Sequence, residues 1–575
     1  MIFLSAQPDD PYFIWQLEIQ LINFKSFGIG YKEIHVLISY EEKNGINNLY
    51  VDFSSRFKEY AQFYFYPDRR KKKKYVSSIR PHIIAQHFFA NECLSKSTVF
   101  YHDSDILFTH KLPDFNRLCA DDIWYFSDAK SYLDSNYIKS KGEIILDEMC
   151  GIVGIGKQTV IDNDENAGGA QSLLKNVDYR FWEKIEVDSE NLYDHLFENT
   201  KRYRREFLSN KKTGDYVPIS SWCADMWALL WNSIKVAQVK IDKDLDFCWP
   251  HHDKSEWYEK KIFHNAGVNH LQDKKYFYKS AFIRKEPYGY DFSSISSECC
   301  SHKYLETIED IYNNRIYDLT DVTFLIPIRI DSDDRLENLT AILSYLAKYF
   351  RTNVIILEAD NQCRIPAEII TENVKHVFIK DDNPLFLREI FNNKLIHIAK
   401  TDIIIKYDCD VIVSPSQLNR AVLSVRYCDS DFCYPYDGSC INVSGALRSF
   451  FLKKLDVRLI FKYSLSYGNF FSAYGGCMVI NRTKYIQSGM DNEAFNGWAH
   501  EDQEIFKRLK ILGFQVKRQE GPLFHLDHKR LANSNHFSQA EFMNSLQEYI
   551  KVCNMNKTEL TKYISNWRKY DEQTV

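Results

Sequence analysis

Two short acidic motifs carry the most chemical information in this chain. Asp103-Ser104-Asp105 and Asp408-Cys409-Asp410 each set two carboxylates one residue apart, after the apolar stretches STVFYH (97–102) and TDIIIKY (401–407). Side chains alternate along an extended segment, so both carboxylates of a pair can address one region. There they could meet a divalent cation together with a ribose or a diphosphate. Hard cations prefer oxygen ligands, and they neutralise the charge that builds on a departing diphosphate. One such tripeptide is a weak signal, because aspartate-rich surface turns are common. Two of them, each following a buried strand at a similar depth into its segment, are a stronger one.

The elements around the motifs repeat in the same order. MIFLS (1–5) is an apolar run, followed by a helical pattern (Phe13, Ile14, Leu17, Ile19, Leu21, Ile22) and by IHVLISY at 34–40. VTFLIPI (322–328) is another, followed by Leu336, Leu339, Ile342, Leu343 and Leu346 at helical spacing and by VIILEAD at 354–360. Strand, helix, strand is the opening of an α/β sheet with right-handed crossovers. Ligands of open α/β sheets bind beyond the carboxyl ends of the strands, where both aspartate pairs fall. The expected division is two α/β domains at 1–284 and 320–530, a linker over 285–319, and a helical tail over 531–575.

Length and composition agree with this division. A chain of 575 residues exceeds one compact core, and 45% hydrophobic with 26% charged residues is a globular balance. The net charge of -5 gives no global reason to expect nucleic acid. The run Arg69-Arg70-Lys71-Lys72-Lys73-Lys74 reads either as a solvated loop or as a contact for an anionic membrane surface or a phosphorylated acceptor. Fourteen cysteines lack metal-type spacing, and Cys299 adjoins Cys300, which suits free thiols in a reducing compartment. MIFLSAQPDD has no basic flank or cleavage pattern of a signal peptide, and no apolar stretch is long enough to span a bilayer. A cytoplasmic protein is expected, peripheral at the inner face of the membrane if its acceptor is lipid-linked.

Several motifs of the second half occur in the order seen in a known family. Ile326-Pro327-Ile328-Arg329, Phe391-Asn392-Asn393-Lys394-Leu395, Asp408-Cys409-Asp410, Tyr474-Gly475-Gly476, Gly497-Trp498-Ala499-His500-Glu501-Asp502-Gln503-Glu504 and His525-Leu526-Asp527-His528-Lys529-Arg530 form that series. Together they resemble the inverting beta-galactosyltransferase and chondroitin-polymerase type of GT-A glycosyltransferase. The resemblance implies donor contacts at Pro327, Ile328, Arg329, Asp360, Asn392, Lys394, Asp408, Gly475, Gly476 and Trp498. It implies Asp502 as the base that takes the acceptor proton, with Glu501 orienting hydroxyls. It also implies a metal shell of Asp410 and His528. His525 stands where the family often has methionine, so an Asp410, His525, His528 shell suited to manganese is open, as is the choice between the two histidines. Ala499 and His500 replace two glycines of the family pattern, which bears on acceptor fit.

The first half shows a looser likeness. Ser77-Ser78-Ile79-Arg80-Pro81 and Ala167-Gly168-Gly169-Ala170-Gln171 resemble segments of plant-type hydroxyproline- and serine-directed glycosyltransferases. His264, ahead of Gly267, resembles the histidine that completes the metal shell of many GT-A enzymes. This implies a metal set of Asp103, Asp105 and His264, with Arg80 and Gln171 on the donor side. His264 also reads as an ordinary core histidine, and no residue of this half carries the signature of a base.

The expected fold is therefore α/β, two tandem Rossmann-like GT-A domains plus the helical tail. The expected function is a bifunctional glycosyltransferase using UDP-sugars with Mn2+ or Mg2+, its second domain inverting. Its partners would be a nucleotide sugar and a glycan acceptor of a surface or capsular polysaccharide. Alternatives are one active second domain served by an acceptor-binding first domain, or a carbohydrate-binding scaffold with degenerate sites. Nucleotidyltransferases usually have a glycine-rich basic loop after the first strand, which neither half contains.

Overall fold

The computed structural model describes residues 1–210, 215–463, 469–470, 472–495, 500–529 and 538–567. The chain is α/β and divides into two compact units. The first comprises Met1–Pro287 with Phe292–Ile311, and the second Tyr288–Asp291 with Tyr312–Val575. Residues 285–319, read as a linker, contain the helix Cys300–Asn314 and the start of the strand Tyr317–Ile328.

Each unit is built on one seven-stranded mixed sheet. In the first, the strands run from edge to edge as Gln62–Pro67, Ile34–Tyr40, Ile2–Pro8, Thr98–Tyr101, Gly168–Lys175, Trp124–Asp128 and Val239–Ile241. In the second they run Val374–Lys380, Phe350–Asp360, Tyr317–Ile328, Ile403–Tyr407, Cys477–Asn481, Phe432–Tyr434 and Val516–Arg518. Counted along the chain within each sheet, both orders are 3-2-1-4-6-5-7. The sixth strand of each, Gly168–Lys175 or Cys477–Asn481, lies antiparallel to both neighbours, whereas the other pairings are parallel.

The local sequence explains these elements. A parallel strand covered on both faces must be apolar on both, and Phe3 and Leu4 are successive residues pointing into opposite cores. Leu4, Val99, Phe126 and Leu174 pack beneath the helices Ile79–Ala90, Tyr179–Asn210 and Ala224–Val236. Phe3, Val36, Phe100 and Leu173 pack on the other face, against the helices Tyr12–Ser26 and Asn48–Arg56. Much of the aromatic content is accounted for here, since Phe3 meets Phe24, Phe100, Phe108 and Phe115 edge to face. In the second unit the helix Asp333–Tyr349 buries Leu339, Ile342, Leu343 and Leu346, the i, i+3, i+4, i+7 stripe expected of it.

The basic run is drawn into local ion pairs. Arg69 meets Glu42 at 3.0 Å, Arg70 meets Asp68 at 3.0 Å, Lys73 meets Glu41 at 2.9 Å and Lys74 meets Glu198 at 3.1 Å. That pairing favours the solvated-loop reading over an anion-binding patch. The tail forms the helices Gln539–Cys553 and Lys557–Ser565, and Ile564 and Trp567 of its end lie over Gly489, whose φ is +94°. Among the described residues no helix is long and apolar enough to cross a membrane.

Candidate active site

In the second unit the strand Ile403–Tyr407 ends at Asp408, and the chain turns through Cys409 and Asp410 into the short strand Val411–Ile412. That strand pairs antiparallel with Leu523–Leu526, which sets Val411 opposite His525. The Leu526 N–H donates to the Asp410 carbonyl at 2.7 Å, fixing the register. This pairing delivers the histidines to an aspartate more than a hundred residues earlier. Asp410 Oδ2 lies 3.1 Å from His528 Nε2 and 4.0 Å from His525 Nε2. One ligand atom from each of Asp410, His525 and His528 lies within 4.8 Å of the others.

These residues fit a divalent cation. The His528 ring places Nδ1 2.9 Å from the Lys529 carbonyl, and the His525 ring places Nδ1 2.9 Å from Asn442 Oδ1. Each imidazole is thereby oriented by its outer nitrogen while Nε2 faces the carboxylate, the arrangement that metal-binding histidines use. Without a cation, the bond to Asp410 raises the His528 pKa above the ordinary imidazole value. Burial opposes ionisation of Asp410, yet His528, His525 and Arg335 hold its carboxyl well below the usual range. His525 and His528 thus both present Nε2 to Asp410.

Beside this candidate cation site lies a cleft lined by Arg388, Asp408, Tyr434, Gly475, Gly476 and Asp502, among others. Glu501 and Asp502 stand in the first turn of the helix Glu501–Leu512, where the macrodipole favours negative charge. Arg388 gathers this acidic group, at 3.5 Å from Asp408, 3.1 Å from Glu501 and 3.3 Å from Asp502. Sequence reasoning missed Arg388. The available signal was a cation as the first residue of the helix Arg388–Ile398, an unfavourable place unless carboxylates surround it.

Gly475 is required by close approach, because a Cβ there would run into the Asp502 carboxylate. Gly476 adopts φ +87°, which glycine tolerates without cost. Gly475→Ala is therefore expected to displace Asp502 and lower turnover by about 100-fold, since a misplacement near 1 Å costs that much. Steady-state kinetics beside a Mn2+ titration checks this, with metal binding unchanged.

The structure does not bring every expected donor contact into the cleft. Arg329 is buried and spent on the Ala359 carbonyl, the Asn383 carbonyl and Asp381, at 2.8, 2.8 and 2.7 Å. Asp360 accepts from the Asn361 N–H at 2.7 Å and pairs with Arg364 at 3.2 Å. Pro327, Ile328, Asn392 and Lys394 also lie outside the residues lining the cleft. Trp498 lies outside the described residues.

The first unit repeats the construction. The strand Ile106–Phe108, directly after Asp105, pairs antiparallel with Ile262–His264 and sets Ile106 opposite His264. The Asn265 N–H donates to the Asp105 carbonyl at 3.0 Å, the counterpart of the Leu526 bond. His264 Nε2 lies 3.5 Å from Asp103 and 3.4 Å from Asp105, and the three residues form a second group able to hold a cation. The Trp249 ring stacks on His264 with centroids 5.4 Å apart. Lys279 is bonded to Asp105. Burial opposes the charge of Asp105, but Lys279 and His264 hold its carboxyl well below the usual range.

Gln171, expected on the donor side, is fully buried and lies behind the histidine instead, with Nε2 3.3 Å from His264 Nδ1. Its Oε1 has no partner. Turning the amide lets Nδ1–H donate to that oxygen and leaves Nε2 bare toward the carboxylates, as a metal-binding histidine requires. Arg80 lines a cleft with Tyr101, Asp103, Gly169, Ala170 and Asp225. It is bonded to Asp103 and, on its other side, to Asp225.

A third group, Glu358, Cys363 and His376, also has ligand atoms close together. Glu358 already accepts from the Arg364 N–H at 2.6 Å and contacts Cys363 Sγ at 3.3 Å and His376 Nε2 at 3.0 Å, so its bonds clamp the loop to the sheet.

A family model described as the N-terminal domain of galactosyltransferase matches residues 459–530, the stretch holding Gly475, Gly476, Glu501, Asp502, His525 and His528. The match supports a glycosyltransferase. Among solved structures, the catalytic domain of Drosophila beta1,4galactosyltransferase 7 in complex with xylobiose is similar at 17% identity and a TM-score of 0.24. The alignment covers 40% of this chain and 80% of that one. No curated protein sequence matches the chain.

Proposed function

We propose that the chain is a bifunctional, metal-dependent glycosyltransferase that moves sugars from UDP-sugar donors to a glycan acceptor, such as a growing surface or capsular polysaccharide. One observation carries this reading. In both units an aspartate pair at the end of the fourth sheet strand meets an imidazole brought to it by the same antiparallel register.

In the second unit Asp502 takes the proton of the acceptor hydroxyl as its oxygen attacks the anomeric carbon. The bond from that carbon to the diphosphate breaks on the opposite side, so the new linkage is inverted. Arg388, also paired with Glu501, holds Asp502 and Asp408 in place, and Gly475 lets the Asp502 carboxylate sit against the backbone. A general base needs only correct placement and a suitable environment, and contributes about 10²- to 10⁴-fold. Bound at Asp410, His525 and His528, a divalent cation would neutralise charge on the leaving diphosphate.

A scaffold has no use for the oriented imidazoles of both units, and their placement beside the aspartates supports two working sites. The test is release of UDP from a panel of UDP-sugars in the presence of oligosaccharide acceptors. EDTA is expected to abolish release and Mn2+ to restore it. Turnover indifferent to EDTA would overturn the reading.

A further inference from the structure

The first unit lacks an assigned proton acceptor, and the correspondence between the two sheets locates one. In the second unit the pairing of the fourth and sixth strands sets Tyr407 opposite Cys477, with Gly475-Gly476 just before. In the first, Tyr101 stands opposite Ser172 in the same ladder. Taking Asp103 as the counterpart of Asp408, Gly169-Ala170 falls in the register of Gly475-Gly476. The backbone confirms the match, since Ala170 adopts φ +61° where Gly476 adopts +87°. An alanine in that left-handed conformation is strained, so the turn is held by its surroundings.

The next element agrees. In each unit two helices lie between the sixth strand and the seventh, and the second of them is Glu501–Leu512 in the second unit and Ala224–Val236 in the first. Each carries an aspartate at its second residue, Asp502 and Asp225, in the first turn. In each unit the helix preceding the fourth strand bears an arginine in its first turn, Arg388 or Arg80. Arg388 bridges Asp408 and Asp502. Arg80 bridges Asp103 and Asp225 in the same way.

We propose that Asp225 is the catalytic base of the first unit, which makes that unit an inverting transferase acting on a hydroxyl acceptor. The assignment rests on the transferase reading above. Asp225 lines a cleft with Arg80, Tyr101, Asp103, Gly169 and Ala170. One of its oxygens accepts from the Tyr75 hydroxyl at 2.6 Å and the other meets Arg80, so the carboxylate is held in one orientation. The acceptor oxygen forms its bond to the anomeric carbon as the bond from that carbon to the diphosphate breaks. The electron pair leaves with UDP, and the hydroxyl proton passes to Asp225. In this single displacement the acceptor oxygen enters opposite the departing diphosphate, so the linkage is inverted.

The experiment uses the full chain with its second site silenced by Asp502→Asn. UDP release and glycan product are measured over a panel of UDP-sugars and acceptors, with Mn2+ present. Adding Asp225→Asn is expected to lower the remaining transfer by about 10²- to 10⁴-fold. Calorimetric binding of UDP with Mn2+ should persist at two sites per chain, which separates lost chemistry from lost folding. The product of the Asp502→Asn chain should show inverted anomeric configuration by NMR. Undiminished transfer in the double variant, a retained configuration, or no transfer at all by Asp502→Asn would each overturn the assignment. If the wild-type chain itself turned over no UDP-sugar, the transferase reading would fall instead.

Discussion

Asp502→Asn is expected to reduce transfer by the second unit by about 10²- to 10⁴-fold, the contribution of a positioned general base. The measurement is made in a chain whose first site is silenced by Asp105→Ala, so that one activity is read at a time. Asparagine has nearly the shape of aspartate and can keep contact with Arg388, but it cannot accept the acceptor proton. Binding of UDP with Mn2+ should therefore be unchanged, and the loss should appear in kcat. Because Asp502 also lies against Gly475, a variant that bound UDP poorly would mean that the carboxylate shapes the donor pocket rather than serving the chemistry.

The second large effect belongs to the cation sites. Asp410→Ala removes the carboxylate that faces both imidazoles, at 3.1 and 4.0 Å. Altering a residue that merely orients a metal ligand typically costs 10–100-fold in affinity, so removing the carboxylate itself is expected to exceed about 100-fold. Transfer by the second unit should fall with it. His525→Ala and His528→Ala resolve the question that the motif leaves open. Both Nε2 atoms face Asp410, and each ring is oriented through its other nitrogen, so both substitutions are expected to weaken Mn2+ binding. An effect confined to His528 would assign His525 to contact with the diphosphate.

Some parts of this site were legible in the sequence and others were not, for physical reasons. The aspartate pairs could be read because a buried strand writes its apolar run into the chain immediately before them. The helix that starts at Glu501 could be read because acidic residues at its first turn precede an amphipathic pattern and a stop at Gly513. The repeat of strand, helix and strand likewise gave the fold class, since parallel strands covered on both faces need continuous apolar segments.

Long-range register is what the sequence conceals. Nothing local in His264 says that it pairs opposite Ile106, and the same residue reads equally as a core histidine until that strand is placed. The resemblance of Ala167-Gly168-Gly169-Ala170-Gln171 to a family segment put Gln171 on the donor side, whereas strand alternation turns its side chain inward onto His264. Arg388 and Asp225 carry no motif of their own. They become meaningful only when the helix starts converge on the ends of the sheet strands, which is a tertiary event. At Arg329 the tertiary partners of the side chain are what the motif does not show. This residue sits inside a recognised motif, yet its guanidinium is consumed by Ala359, Asp381 and Asn383.

The most direct measurement counts bound manganese by EPR in the full chain with UDP present. Two ions per wild-type chain are predicted, falling to one in either Asp410→Ala or Asp105→Ala and to none in the double variant. A chain that binds no manganese, or whose count is indifferent to both substitutions, would contradict the claim that each unit assembles its own cation site.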